Sequence, residues 1–398
     1  MSQKKETKKS YKKEFFTIFL IVATELIGFG LIIPILPQIA NRFETNGVML
    51  GILLASFSLA QFIANPILGA LSDKYGRKKI LLLSKLGTCL AYILFAFSFN
   101  YTGILISRLI DGFTGGNLSV ARAYIADITE PKDRSKGMAV IGISFGTGFI
   151  LGPALGGILF GLFDTHTIPA LVAGSLSLLA ILFTIAFLKE PKKHAHVEDN
   201  TTALLGHTDL LKNKKIWSIC LIQFIFMLVF SGYETSFSVF TNNFFGFNEQ
   251  QNSYVFFYIG ILALIIQGGI MRRSNKNINR SIIFGFACTS ISFIIISQSQ
   301  TLALLLSGLA LLSLGIGFIL SHLPALLSTM APRGKTGQVM GLYEATGSLS
   351  RIIGPLFVYI GFFKLLREAY LVYAGILALL IIIFIALIPS QKVNTQTN

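Results

Sequence analysis

Apolar runs long enough to cross a bilayer recur twelve times along the chain, over residues 15–39, 47–71, 80–99, 102–125, 137–163, 168–188, 216–241, 253–271, 281–298, 301–328, 337–363 and 368–389. A helix of about 20 mainly apolar residues spans a hydrocarbon core of roughly 30 Å. Lipid offers no partner for an unpaired backbone group, so a run of this kind is helical. The pattern therefore predicts an all-α membrane protein of twelve transmembrane helices. Glycine and proline inside several runs are compatible with that reading where neighbouring helices satisfy the freed backbone groups.

The longest polar stretch, Lys189–Lys215, carries Pro191, His194, His196 and His207 and separates six runs from six. It reads as a linker, 189–215, between an N-terminal bundle, 1–188, and a C-terminal bundle, 216–398. A faint repeat at an offset of 202 relates the two: Met138, Gly152 and Pro153 correspond to Met340, Gly354 and Pro355. Both sets follow a basic loop containing proline, at Pro131–Lys136 and Pro332–Lys335. A duplication with the binding site between its halves is a common transporter plan.

Composition agrees, with 53% hydrophobic and 13% charged residues and a mean hydropathy of +0.70, against about 25% charged in a soluble domain. The net charge of +15 raises nucleic acid as a partner, and the placement of the basic residues argues against it. Counting loops alternately, 26 of the 33 Lys and Arg fall on the side that holds both termini, three on the other, and four inside the runs. That asymmetry predicts cytoplasmic termini and a multi-pass protein of the bacterial cytoplasmic (inner) membrane. The first run contains Glu25 and lacks a small-residue cleavage site, so it is expected to remain as a span. Cys89, Cys220 and Cys288 lie inside runs with no paired spacing and suggest neither a disulfide nor a zinc site.

Several motifs carry candidate chemistry. The loop after the second run reads Gly69-Ala-Leu-Ser-Asp73-Lys-Tyr-Gly76-Arg77-Lys78; Gly69 permits close helix approach, Gly76 turns the chain, and Asp73 and Arg77 can bond each other or helix ends. Gly148, Gly152 and Gly156 are spaced by four and clear one face of the fifth run, with Pro153 removing a backbone donor there. In the fourth run Arg108 and Asp111 stand one turn apart, either facing a cavity or snorkelling to the outer interface. Three further acids, Glu25, Glu234 and Glu344, sit at membrane depth, where a carboxyl can exchange a proton or attract a cation. For Glu344 a structural pairing with Arg351 two turns along is the competing reading. His322 is open between a proton relay and a packing residue. Tyr233, Phe237 and other aromatics around Glu234 suit a pocket for an aromatic or cationic ligand, with His322 as a further candidate contact.

The 69–78 loop matches in full the G-x-L-S-D-x-x-G-R-K loop of the major facilitator superfamily. The resemblance implies two pseudo-symmetric six-helix bundles and a cytoplasmic latch in which Gly69, Asp73, Gly76 and Arg77 gate the pathway. The corresponding stretch of the second half, Gly269–Ile278, has Arg273 and Asn277 in place of Asp73 and Arg77, so the latch is expected to be one-sided. The glycines and Pro153 of the fifth run resemble the signature of the proton-driven exporters of that superfamily. The Arg108-x3-Gly112-x2-Gly115 pattern resembles the family's span-4 motif, whose arginine is associated with proton transfer. Thr24-Glu25-Leu-Ile-Gly28-Phe-Gly30-Leu-Ile-Ile-Pro34-Ile-Leu-Pro37, with Ala123–Thr129, resembles the tetracycline/proton antiporters, Glu25 standing where those pumps usually carry Asp. Implied are proton-coupled export of a tetracycline-like or multidrug amphiphile, antibiotic resistance, and coupling through Glu25, Arg108, Asp111, Glu234 and Glu344.

Other classes fit less well. Arg333-Gly-Lys-Thr336 lacks the earlier glycine of a P-loop, having Thr329 there, so ATP hydrolysis is not expected. No nucleophile–base pair or metal-ligand cluster is evident, so no enzyme, cofactor or metal is expected. A proton-linked metabolite carrier for a siderophore or sugar, and a membrane sensor that no longer transports, are the alternatives. The expected partners are protons, a small-molecule substrate and the bilayer, with a monomer sufficient to form the pathway.

Overall fold

The computed structural model describes residues 12–32, 35, 36, 39, 43, 47–191, 213–270, 277–357 and 366–388. Pro34, Pro37, Arg273, the linker histidines and most of the 189–215 linker lie outside the described residues. The described chain is helical throughout: α1 Lys12–Ile32, α2 Gly47–Tyr75, α3 Arg77–Ala96, α4 Tyr101–Thr114, α5 Asn117–Ile128, α6 Arg134–Phe163, α7 Thr167–Phe187, α8 Lys214–Phe245, α9 Glu249–Ile265, α10 Ile278–Ser297, α11 Leu302–Met330, α12 Thr336–Phe357 and α13 Leu366–Leu387.

Nine of these are long and apolar enough to cross a membrane on their own: α1, α2, α3, α6, α7, α8, α10, α11 and α13. The other three of the twelve spans fall short for separate reasons. The fourth is broken, contrary to the single run expected over 102–125: Gly115 and Gly116 end α4 and start α5. The eighth, α9, is a 17-residue helix that passes into a π-helical turn at Ile266–Ile270. The eleventh, α12, carries Gln338, Glu344 and Arg351 within its length.

Apolar stripes left outside, such as Leu83, Leu86 and Leu90 on α3 and Leu379, Ile382 and Ile385 on α13, suit contact with lipid tails. Inside, two clusters belong almost wholly to α1–α7 and one large cluster to α8–α13. The glycine face of α6 receives α1 at backbone distance: a Cβ on Gly148 would stand 2.5 Å from Leu26 Cβ, one on Gly152 would stand 2.8 Å from Gly30 Cα, and one on Gly156 would overlap Leu31 O. Pro153 sits within that contact, its ring near Gly30, and α6 runs through it as one helix.

The two groups of helices meet along α2–α12, α5–α12, α6–α9 and α6–α11. At α2–α12, Gly69 faces Gly337 so closely that a Cβ on either would overlap the other's carbonyl, and Gly341 packs over Asn65 O. The polar contacts described between the groups lie along the α2–α12 and α5–α12 seams, with one more from Arg122 Nη1 of α5 to Leu320 O of α11 at 3.4 Å.

Candidate functional site: ion pairs and a cavity between two helix groups

At one end of the α2–α12 seam, the Asp73 carboxylate accepts from the backbone N–H groups of Gly337 and Gln338, both at 2.8 Å. These are orphan donors of the first turn of α12, where the helix dipole favours an anion. Arg77 Nη2 holds the same carboxylate at 2.6 Å, its Nε bonds Asp127 at 2.9 Å and its Nη1 bonds Ser72 Oγ at 2.5 Å. Gly76 makes the turn with φ 102°, a left-handed conformation that a side chain would strain. Glu190 accepts from the N–H groups of Arg77 and Lys78 at 2.6 and 2.9 Å, tying the chain after α7 to the start of α3.

Within the first group, Glu25 of α1 pairs with Lys85 of α3 at 2.7 Å and accepts from Asn117 Nδ2 of α5 at 3.0 Å. Lys85 is completely buried. Arg108 and Asp111 form their ion pair at 2.7 Å, each 2% exposed, so neither snorkels to an interface. The Arg108 guanidinium lies over the Phe57 ring at 4.6 Å, a cation–π contact that helps hold a desolvated cation. The break between α4 and α5 puts Gly115 O within reach of Gln61 Nε2, at 3.1 Å.

Between the groups, Arg122 Nε of α5 and Glu344 Oε1 of α12 form an ion pair that is 2% and 4% exposed. The competing reading, a pairing of Glu344 with Arg351, is not what forms: Arg122, from the other helix group, pairs with Glu344. Arg351 instead donates to Gln61 Oε1 of α2 at 2.7 Å and to Ser348 Oγ at 3.1 Å. Ser348 also receives a bond from Asn65 Nδ2 at 3.2 Å.

Beside this seam lies a cavity of about 90 Å³ walled by α6, α8, α9 and α11. Phe226, Phe230, Tyr233 and Phe256 make an aromatic wall, Gln267 from the π-helical turn a polar corner, and Glu234 is the one charged side chain in the lining. Gly142 and Gly146 open the facing side of α6. Phe237 stands behind the wall, buried, with its ring 5.3 Å from that of Tyr233. His322 is buried outside the lining, stacked on Phe318, with Nδ1 2.9 Å from Phe318 O.

Sequence reasoning singled out the acids but not Lys85, Arg122, Arg351, Gln61 or Asn117 as site residues. A lone base inside an apolar run is itself a signal, since a buried charge demands a partner; that signal was present for all three bases. The partners were not readable, because Arg122 and Glu344 are 222 residues apart.

The chain belongs to the Major Facilitator Superfamily, whose profile matches residues 18–355. It is therefore a multi-pass membrane protein and a secondary transporter rather than an enzyme, with the two-bundle fold of that family. The tetracycline resistance protein, class H, of Pasteurella multocida is 32% identical over 359 residues, covering 87% of this chain and 89% of its own. Multidrug resistance protein 2 of Bacillus subtilis (strain 168) is 31% identical over 359 residues, covering 85% and 87%. The crystal structure of the human organic anion transporter MFSD10 (TETRAN) superposes with a TM-score of 0.82 at 25% identity, covering 95% of this chain and all of that one.

Proposed function

We propose that the protein exports a small amphiphilic compound, tetracycline-like or multidrug in range, in exchange for protons. The observation that carries this reading is the cavity: an aromatic wall around a single carboxylate, Glu234, offers an apolar cation both dispersion and charge, and offers a proton the same carboxylate. One group that accepts either load at different moments is the requirement for exchange. With no basic side chain in its lining, the cavity favours a cation over an anion. The similarity to tetracycline and multidrug resistance proteins supports the drug reading.

The bundles 1–188 and 216–398, joined by 189–215, rock against each other, with the basic loops and both termini on the cytoplasmic side of a bacterial cytoplasmic membrane. On that orientation the Asp73 end is cytoplasmic, and Gly69, Asp73, Gly76 and Arg77 hold it shut in the described conformation. Glu25, Arg108, Asp111 and Glu344 complete the proton-coupling set, and Tyr233 contacts the substrate beside Glu234. We take the monomer as the transporting unit.

The test is purified protein in liposomes with a pH-sensitive dye inside and an inward-directed proton gradient, with tetracycline or ethidium added. Substrate-dependent proton movement that is lost in Glu25→Gln or Asp111→Asn is the expected result; no movement with either drug would overturn the reading in favour of a metabolite carrier or a non-transporting sensor.

A further inference from the structure

Away from the cavity and the seams, α1, α3 and α7 come together in a corner at the Asp73 end, on the outside of the first helix group. Two ammonium groups converge there on the last turn of α7, one from each flanking helix. Lys13 of α1 places Nζ 5.8 Å from the centre of the Phe187 ring, and Lys78 of α3 donates from Nζ to Ile185 O at 3.0 Å. The carbonyls of a last helical turn are orphan acceptors at the negative end of the helix dipole, so they favour cations there without neutralising them. An ammonium has three donors, and Lys78 uses one on Ile185. Among the described residues neither lysine forms an ion pair.

On the same outward side a strip of aromatic rings runs from α1 to α7. Phe16 of α1 packs edge-on against Phe183 of α7 at 6.0 Å, and Phe183 lies 5.4 Å from Phe187. Phe16 is 52% exposed and Phe187 40%. Along their helices Phe16 and Phe183 lie about one turn, roughly 5 Å, deeper than Lys13 and Phe187. Cations set one turn above exposed rings match a molecule whose phosphate stands above its acyl chains. The acids at the corner do not cancel the lysines. Glu190 is engaged with the N–H groups of Arg77 and Lys78, and Glu14 is half-buried on α1, while Lys12, Lys79 and Lys189 add exposed cations.

We infer that this corner is a binding site for an anionic phospholipid, with the headgroup phosphate held between Lys13 and Lys78 and an acyl chain lying over Phe16 and Phe183. A zwitterionic headgroup brings its own cation and gains less from the two ammoniums; a soluble anion gains nothing from the rings. A bound phosphate bridges α1 and α3 across the end of α7, so the lipid braces the first bundle without crossing to the second. The site assumes nothing about cargo or coupling. The proposed orientation decides only that the leaflet is the cytoplasmic one, where anionic lipids attract basic segments beside the membrane.

The experiment is quenching of a single tryptophan in bilayers that contain the full chain. Trp217→Phe removes the native reporter and Phe16→Trp places a new one in the ring strip. Dibrominated phosphatidylcholine quenches it, and unbrominated phosphatidylglycerol or phosphatidylcholine is added to displace the quencher. A lysine beside an anionic lipid contributes about fivefold in affinity, so phosphatidylglycerol should relieve quenching at a concentration at least about fivefold lower than phosphatidylcholine. Lys13→Gln/Lys78→Gln should remove that preference, and Lys13→Arg/Lys78→Arg should keep it. Thermal unfolding in detergent checks that the glutamine variant is folded; if it is not, Lys13→Gln alone, which costs no hydrogen bond, should still lower the preference. Native Trp217 of α8, 39% exposed, read with Phe16 in place, should report the same lipid ratio with and without the glutamine substitutions. Glycerol 1-phosphate in the buffer should not compete with phosphatidylglycerol; competition would assign the lysines to a soluble anion and overturn the inference. Equal displacement by the two lipids in the protein with both lysines would also overturn it, as would a preference that survives Lys13→Gln/Lys78→Gln. The assay uses no substrate and no gradient, so failure of the antiport reading leaves its result untouched.

Discussion

Lys85 is the residue whose surroundings explain most about the first bundle. A fully buried ammonium at membrane depth is tolerable only with a carboxylate in contact, and Glu25 supplies it at 2.7 Å. Glu25→Gln should therefore do two things: abolish substrate-driven proton movement and destabilise the fold by about 3–5 kcal/mol, the usual effect of stranding one member of a buried pair. Thermal unfolding in detergent checks the second effect, and Glu25→Gln/Lys85→Met should recover most of it without restoring coupling. Glu25 was visible in the sequence because it interrupts an apolar run beside Gly28 and Gly30. Its partner was not, because nothing in the order of residues places position 85 beside position 25. Asp73 offers a second test at this scale. Asp73→Asn leaves one acceptor oxygen where two carboxylate oxygens took the N–H groups of Gly337 and Gln338, so one charge-assisted bond becomes neutral and the other is lost, and charge-assisted bonds contribute about 1.5–3 kcal/mol. Spin labels on Lys79→Cys and Arg333→Cys in this variant should show a larger open population than wild type.

Among the helices, the spacing of glycine decides which ones touch. The run Gly148, Gly152, Gly156 was legible as a cleared face, and the structure fills that face with α1. Gly157, one position on, meets nothing within 4 Å. Gly156→Ala, whose Cβ would overlap the Leu31 carbonyl, should lower stability by about 1–3 kcal/mol as an overpacked contact does, while Gly157→Ala should leave both unfolding temperature and transport unchanged. Hydrophobic length was a good guide to the other spans and a poor one to α4–α5, α9 and α12. Those three are interrupted or polar where they make polar contacts inside the protein: the Gly115 carbonyl that meets Gln61, the π-helical turn that presents Gln267, and the Glu344, Ser348 and Arg351 ladder. Span assignment by apolarity weakens where the chain faces another bundle instead of lipid.

For the whole molecule, the conformation is one in which the seams α2–α12 and α6–α9 are closed and polar contacts join the bundles at three levels: Asp73 to Gly337, Arg122 to Glu344, and Gln61 to Arg351. The two-bundle plan could be inferred from twelve runs, one long polar break and a single ten-residue loop. The chemistry across the bundles could not, since it depends on pairs that meet only after both bundles are packed. In the proposed exchange the cavity carboxylate is the group shared by proton and substrate, so the most direct measurement is proton movement on adding ethidium to liposomes that contain wild type or Glu234→Gln. Ethidium-dependent proton movement in wild type, lost in Glu234→Gln, is the expected result. Equal movement in both proteins would contradict the assignment of Glu234 as the shared site of proton and substrate.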